Sequence, residues 1–419
     1  MGCGRLLGPR GAFTPGSHHA RDAVRWFGDR SRRRGTTRGD RAPIANRRTA
    51  ARDDRSARYP VPGLRTHRGT GVVSTPRPLP ERDLAEITTL AEDDLRVLEG
   101  ARIFVTGGTG FVGTWLVEAL LAADRELGLR LGLTLLTRDQ TTYRRRRPHL
   151  AGDESVTLME GDVRTFTADG HHDFVVHAAA STSTARTPAE RTAIYSSIVH
   201  GMERVIEVAS SWGRPRLLFT SSGAVYGTQP PDLMLIPENH LEGPDPLDTA
   251  MSYHGAKRAA ELRSALATES GAVDVVVARL FAFVGPLLPI DQHFAVGNFV
   301  KDALAGGPIR IEGDGTPYRS YQYAGDLVRW MLRLLVSGEP GRAYNVGSSN
   351  AISIGDLAQV VADVAGGGLE VRIACEPDPD RRASRYVPDT SLAKEELDLV
   401  NVVGLAESIR RTLDWNTSG

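Results

Sequence analysis

Tyr253 and Lys257 stand four residues apart in the run Tyr253-His254-Gly255-Ala256-Lys257, a spacing that puts a phenol and an ammonium on one face of a helix. An ammonium beside a phenol is expected to lower its pKa, so that a phenolate can take the proton of a substrate hydroxyl near neutral pH. The bland alternative is an amphipathic surface helix, because a chain with ten tyrosines can hold one such pair by chance. Position along the chain argues for chemistry. Ser222 lies earlier, in Thr220-Ser221-Ser222-Gly223-Ala224-Val225-Tyr226-Gly227, directly after an apolar run that reads as a strand. In doubly wound sheets, ligands collect at the carboxyl ends of the strands. A serine there is often only a turn former. Beside Tyr253 and Lys257 it reads as the hydroxyl that steadies the oxygen of the reacting carbon.

Thr106-Gly107-Gly108-Thr109-Gly110-Phe111-Val112-Gly113 sits between a strand-like run and a helix-like one, the context in which such glycines carry weight. Gly107 permits a tight turn, Gly110 lets backbone amides approach a pyrophosphate, and Gly113 allows close helix–strand packing. The helix opening at Phe111 and Val112 faces the anion with free N–H groups. This predicts a nicotinamide dinucleotide, whose positive ring would further lower the Tyr253 pKa. NAD is expected, with NADP left open. The second strand ends Leu136-Thr137-Arg138-Asp139, where Asp139 suits a ribose 2′-hydroxyl and Arg138 a 2′-phosphate.

The elements that must position these groups begin at Arg102, where short β-branched runs start to alternate with amphipathic helical segments, the pattern of parallel strands with crossover helices. Strands are expected at Ile103–Val105, Leu133–Thr137, Val156–Met159, Phe174–His177, Leu217–Thr220 and Val273–Leu280, with a first helix over Phe111–Ala122. The fold class is therefore α/β, a Rossmann-type doubly wound parallel sheet over 101–280. Beyond Pro286 the alternation loosens, with a helix near Gly297–Leu304 and a closing helix ending at Trp415. Residues 281–419 are read as a smaller α/β substrate-binding portion, and 76–100 as a lead-in.

Residues 1–75 carry 17 Arg, no Lys and five acids without an apolar period, so burial cannot offset the entropy of ordering them and disorder is expected. The body of the chain, 76–419, holds 34 basic against 46 acidic residues, which argues against a general nucleic-acid surface on it. The run Arg32-Arg33-Arg34 raises the lesser alternative of a nucleic-acid or targeting arm. Another is that translation begins at Val72 or Val73. No stretch approaches a bilayer span, and the two cysteines, Cys3 and Cys375, fit a reducing compartment. A cytoplasmic protein without a metal site is expected.

Taken together, these motifs resemble the extended short-chain dehydrogenase/reductase superfamily, and within it the NAD-dependent epimerase/dehydratase family acting on nucleotide sugars. The resemblance runs from about Arg102 to Trp415. It implies that Ser222, Tyr253 and Lys257 form the catalytic triad, that Asp162 and Val163 contact adenine, and that Ala178 and Ala179, after His177, line the cofactor cleft. For His177 itself a satisfied core histidine is the preferred reading. The resemblance further implies that Arg319, after Gly313-Asp314-Gly315, grips the nucleotide diphosphate, a task suited to a bidentate guanidinium. It places Asn298 near the substrate phosphates and Arg385, before Asp389, at the closing nucleotide clamp. It also implies a homodimer.

The chain departs from the family at named positions. Dehydratases, and similarly decarboxylases, carry acids after the catalytic hydroxyl, where this chain has Gly223 and Ala224. No general acid is then available there to expel a C6 hydroxyl. Two family asparagines are replaced by Ile198 and Ala282. The expected activity is a C4 oxidoreductase of a nucleotide hexose, with 4-epimerisation favoured. An NADPH-dependent 4-keto-sugar reductase is the first alternative and a 4,6-dehydratase the next. A cofactor-sensing scaffold is the non-enzymatic one.

Overall fold

In the computed structural model, strand β1 (Arg102–Thr106) buries Ile103, Phe104 and Val105 completely and runs up the middle of a sheet. β2 (Gly132–Thr137) and β3 (Val156–Glu160) add on one side. β4 (Phe174–His177), β5 (Arg216–Ser222) and β6 (Asp274–Leu280) add on the other. Every pairing is parallel, as the apolar runs require of strands covered on both faces. The structure describes residues 77–180, 185–290, 292 and 294–417. The expectations for the extension 1–75, the valine start and Cys3 fall outside them.

The sheet has a seventh strand, Ala343–Val346, paired in register with Val277–Leu280 of β6. It comes from the later part of the chain, after the buried Ala324–Ser337 helix, so the central sheet draws on both halves of the sequence. A separate core lies under the Ala295–Leu304, Ile354–Val364 and Leu405–Thr417 helices, where Val300, Ile309, Leu357, Val361 and Ile409 are fully buried. Close by, a small three-stranded sheet joins Ile352–Ser353, Tyr318–Arg319 and Arg385–Tyr386. Among the described residues no helix is long and apolar enough to cross a membrane.

Chain order places the reversal of the sheet between β1 and β4, the switch point at which a crevice opens beyond the strand ends. Thr106 and His177 are the last paired residues there, opposite each other. The sheet thereby aims both the Gly107 turn and Ala178–Ala179 into one crevice.

Residues 77–100 form two helices, Glu81–Leu90 and Glu92–Val97. Their Ile87 and Leu95, with Leu98, are sealed into the main core. A buried polar cluster pins this segment to both later regions. Asp83 accepts from Tyr323 Oη at 2.7 Å and from Arg411 Nη1 at 2.6 Å, and Arg411 also reaches Glu86 and Glu407. Removing the guanidinium would leave the Asp83 carboxylate buried without its counter-charge. Arg411→Ala should therefore lower the unfolding free energy by about 3–5 kcal/mol in urea melts; a loss within measurement error would show that the cluster contributes nothing.

Candidate active site

Gly107 takes φ +75°, in the left-handed region. A Cβ on it would stand 2.6 Å from the Ala179 nitrogen, so only glycine lets the turn lie against the segment that follows β4. Ala178 N–H and Ala179 N–H donate to the carbonyl and hydroxyl of Thr106, stitching the two strand ends together. Gly113, on the first turn of the Phe111–Leu127 helix, would put a Cβ 2.6 Å from Gly108 Cα. Gly110 is different, for a Cβ there meets only the Gly107 carbonyl oxygen, at 3.4 Å. That N-cap has no side-chain hydrogen bond, so the helix start keeps space and N–H donors for an anion. Phe111 stacks on Phe283 with centroids 5.1 Å apart, which fixes the opening of the helix against the segment after β6. The cradle fits the pyrophosphate of a dinucleotide.

At the far end of the crevice the two acids are engaged. Asp139 accepts Thr142 N–H at 2.8 Å and caps the Gln140–Arg146 helix. Asp162 accepts Arg164 Nε and NH2, both at 2.8 Å, and these bonds, together with the Arg164 amide, hold its pKa down to about 2. Arg138 is exposed and adds to the field on Asp162. Val163 packs against Gly201, where a Cβ would come within 3.1 Å of Val163 Cγ1. Ile198, at the family asparagine position, is buried one turn before Gly201.

Tyr253 and Lys257 share one face of the Ser252–Glu269 helix, and that face meets the end of β5. Lys257 Nζ donates to the Thr220 carbonyl at 2.6 Å and lies 4.8 Å from the centre of the Phe219 ring. Tyr253 comes close enough to Ser222 for the serine hydroxyl to act on its titration. Ser222 Oγ also accepts Ala224 N–H at 3.1 Å, starting the Gly223–Tyr226 turn. The three residues expected to act together therefore meet.

The electrostatics correct the expectation that the ammonium makes the phenol acidic. Burial pushes the Tyr253 pKa above its ordinary value, and the nearby Ser222 hydroxyl offsets only part of that rise. Lys257 is buried as well, and desolvation pulls it down to about 7 despite Glu261 one turn on, so near neutrality it carries only part of a charge. His177 is a buried, neutral core residue. Its Nδ1 pairs with Thr106 Oγ1 at 2.7 Å, and burial, followed by the nearby Lys257, lowers its pKa to about 3.

Behind Ser222 the strand ends are tied by a polar network. Ser221 Oγ donates to Glu261, which receives Arg279, and Arg279 donates to Tyr226 Oη. Tyr226 in turn donates to Asn345 on the seventh strand. These groups anchor the helix of Tyr253 to β5 and β6.

Of the residues expected around the diphosphate, Arg319 comes nearest to the catalytic cluster. It pairs in register with Tyr386, and its charge acts on the Tyr386 hydroxyl, which lies beside Gly223. Arg385, the preceding residue, lies over the Tyr318 ring at 4.3 Å with its Nε buried and without a partner. Asn298 is exposed on the first turn of its helix, and no contact ties it to the catalytic cluster. Two residues that sequence reasoning did not single out complete the cluster, Tyr386 and Phe281. A Cβ on Gly223 would stand 2.6 Å from Tyr386 Oη and 2.5 Å from Phe281 Cζ. The glycine after the catalytic hydroxyl was the signal that something large fills that space.

A doubly wound sheet with a glycine cradle at its switch point and a Ser/Tyr/Lys cluster at the end of β5 defines a dinucleotide-type oxidoreductase architecture. The chain belongs to the NAD dependent epimerase/dehydratase family, whose family model matches residues 103–347. UDP-glucuronic acid decarboxylase 2 of Arabidopsis thaliana is 29% identical over 318 residues, covering 74% of this chain and 67% of that protein. dTDP-glucose 4,6-dehydratase of Streptomyces niveus is 26% identical over 321 residues, 75% and 92% of the two chains. Among solved structures, UDP-glucose 4-epimerase from Thermotoga maritima superposes with a TM-score of 0.63 at 22% identity, covering 76% of this chain and 99% of that one. dTDP-glucose 4,6-dehydratase from Streptomyces venezuelae, solved with NAD bound, gives 0.63 at 25% identity, covering 76% and 97%.

The Lys257 shift has a thermodynamic sign. Its folded pKa, about 7, lies below the ordinary 10.5, so between those values the unfolded chain binds one more proton and stability rises with pH. The cost of burying the amine is full below about pH 7 and vanishes near 10.5. In a Lys257→Met variant this dependence disappears while all others remain. Melts from pH 7 to 10 should therefore show wild type gaining on the variant as pH rises; parallel curves would mean that Lys257 keeps its ordinary pKa.

Proposed function

We propose that the protein oxidises and re-reduces C4 of a nucleotide hexose, with inversion at C4 the favoured outcome. The observation that carries this reading is the closed space at Gly223. Tyr386 and Phe281 occupy the volume that a side chain there would need, and Ala224 is buried beside them. No carboxyl group can stand directly after Ser222 to expel a C6 hydroxyl, so the site is equipped for proton and electron exchange at one carbon without elimination.

Gly107, Gly110 and Gly113, with the amides of Phe111 and Val112, would hold the pyrophosphate of NAD. Ala178, Ala179 and Val163 would line its cleft. When bound, the dinucleotide supplies reversible two-electron oxidation of the sugar alcohol. Tyr253 Oη accepts the proton of the 4′-hydroxyl and later returns it. Ser222 Oγ steadies the oxygen of the developing carbonyl, while Lys257 orients the cofactor ribose. Arg319 and Arg385 present guanidinium groups suited to a diphosphate, with Asn298 beside the same phosphates. Arg138, exposed while both acids near it are engaged, keeps the NADPH-dependent 4-keto-sugar reductase as a second reading.

A panel of UDP- and dTDP-hexoses, with UDP-glucuronic acid included because of the decarboxylase relatives, tests the reading. The expected outcome is conversion between C4 epimers without net consumption of dinucleotide. Tyr253→Phe should cut that rate at least about a hundredfold. Net NADPH consumption would favour the reductase, and carbon dioxide release the decarboxylase. Unchanged activity in Tyr253→Phe would remove the catalytic assignment.

A further inference from the structure

The helix that carries Tyr253 holds the chain on both sides of Ser222. Before it, Lys257 Nζ donates to the Thr220 carbonyl and Glu261 accepts from the Ser221 hydroxyl, both at 2.6 Å. After it, Arg258 Nη1 donates to the Val225 carbonyl at 3.1 Å. Between these holds, Ser222 Oγ accepts the Ala224 N–H and so opens the Gly223–Tyr226 turn. The turn therefore runs from the catalytic hydroxyl at one end to the Arg258 guanidinium at the other. In so short a span, a shift of the Val225 carbonyl is passed to the amide that Ser222 holds.

Arg258 is an exposed side chain, yet its place is specified. The same Nη1 donates to the Glu242 carbonyl at 3.0 Å. Gly227 ends the turn at φ +71°, and a Cβ on it would stand 2.9 Å from Pro244 N and 3.0 Å from Gly243 C. The chain thus leaves at Gly227 and comes back beside it at Gly243, which makes a neck for the excursion 228–242. Arg258 lies across that neck, where a Cβ on Gly243 would meet its guanidinium, 2.6 Å from Cζ. The Gly243 backbone is outside the left-handed region and does not itself call for glycine. The bare α-carbon is needed for the guanidinium, and an added methyl would push aside only the end of a flexible side chain.

We propose that Arg258 is a positioning residue for Ser222: its guanidinium clips the Val225 carbonyl to the Glu242–Gly243 neck and so keeps the Ser222 hydroxyl aligned with the helix of Tyr253. Lys257 and Glu261 fix where the strand arrives, and Arg258 fixes how the chain leaves. Nη1 suits this task because it carries two N–H bonds, one for each carbonyl. The role rests on Ser222 acting in the proposed reaction, yet the hold on the turn can be measured without a substrate.

Arg258→Ala removes the guanidinium, and Gly243→Ala displaces it without altering Arg258. Both positions are exposed, so the fold should tolerate either change. The Ala224 and Gly227 amides are bonded within the turn. Their hydrogen exchange, in the full-length protein with NAD added, should quicken at least about fivefold in each variant and no further in the double variant. Arg258→Lys, which keeps donors for the carbonyls, should recover part of the loss. On the hexose of the panel that is converted fastest, kcat should fall about tenfold in each single variant and no more in the double one, with KM and Tm little changed. Unchanged exchange overturns the proposal, as does unchanged kcat in Arg258→Ala or a pair of losses that multiply in the double variant. The expected exchange pattern in a protein inactive on every sugar of the panel would support the hold on the turn while removing the proposed reaction.

Discussion

The bond from Lys257 Nζ to the Thr220 carbonyl fixes the rest of the site. It joins the Ser252–Glu269 helix to the end of β5 at a buried point, and the helical repeat then delivers Tyr253 to Ser222 one turn before it and Glu261 to Ser221 one turn after it. A buried amine is costly to keep dry. Its neighbours show how the protein bears that cost, with a carbonyl acceptor, the face of Phe219 and the nearby carboxylate of Glu261. Were the helix to slide along the strand, all three contacts and the Ser222–Tyr253 pair would be lost together.

Around that anchor the protein has exchanged a carboxylate for aromatic surface. Gly223 and Ala224 leave no acid after Ser222, and Tyr386 with Phe281 closes the gap from a strand remote in sequence. The change couples two regions of the molecule. Arg319 sits in register with Tyr386, so the small sheet that carries this guanidinium also carries the phenol that closes on Gly223.

Of the parallel strands β1 to β6, the inner ones were legible because strands buried on both faces must be continuous apolar runs, while β3 at the sheet edge has no buried residue. The seventh was not. Ala343-Tyr344-Asn345-Val346 breaks the run with a fully buried asparagine, whose amide is satisfied by the Ile236 and Asp389 carbonyls, partners supplied only by the folded chain. The glycine turn and the Tyr253/Lys257 pair were readable because their spacing is local. The spacing reveals a charge near Tyr253 but not the burial that raises the Tyr253 pKa and weakens that charge. Tyr386 was missed for the related reason that its place beside Gly223 joins distant parts of the sequence.

The central claim is that Ser222, Tyr253 and Lys257 work reversibly at C4 of a nucleotide hexose without eliminating a neighbouring group. The most direct measurement follows deuterium placed at C4 of such a sugar, with no reductant added. Retention of the label at C4 in a product of opposite configuration is the expected result. Movement of the label to C6 with loss of water, or its escape from the sugar altogether, would contradict the claim.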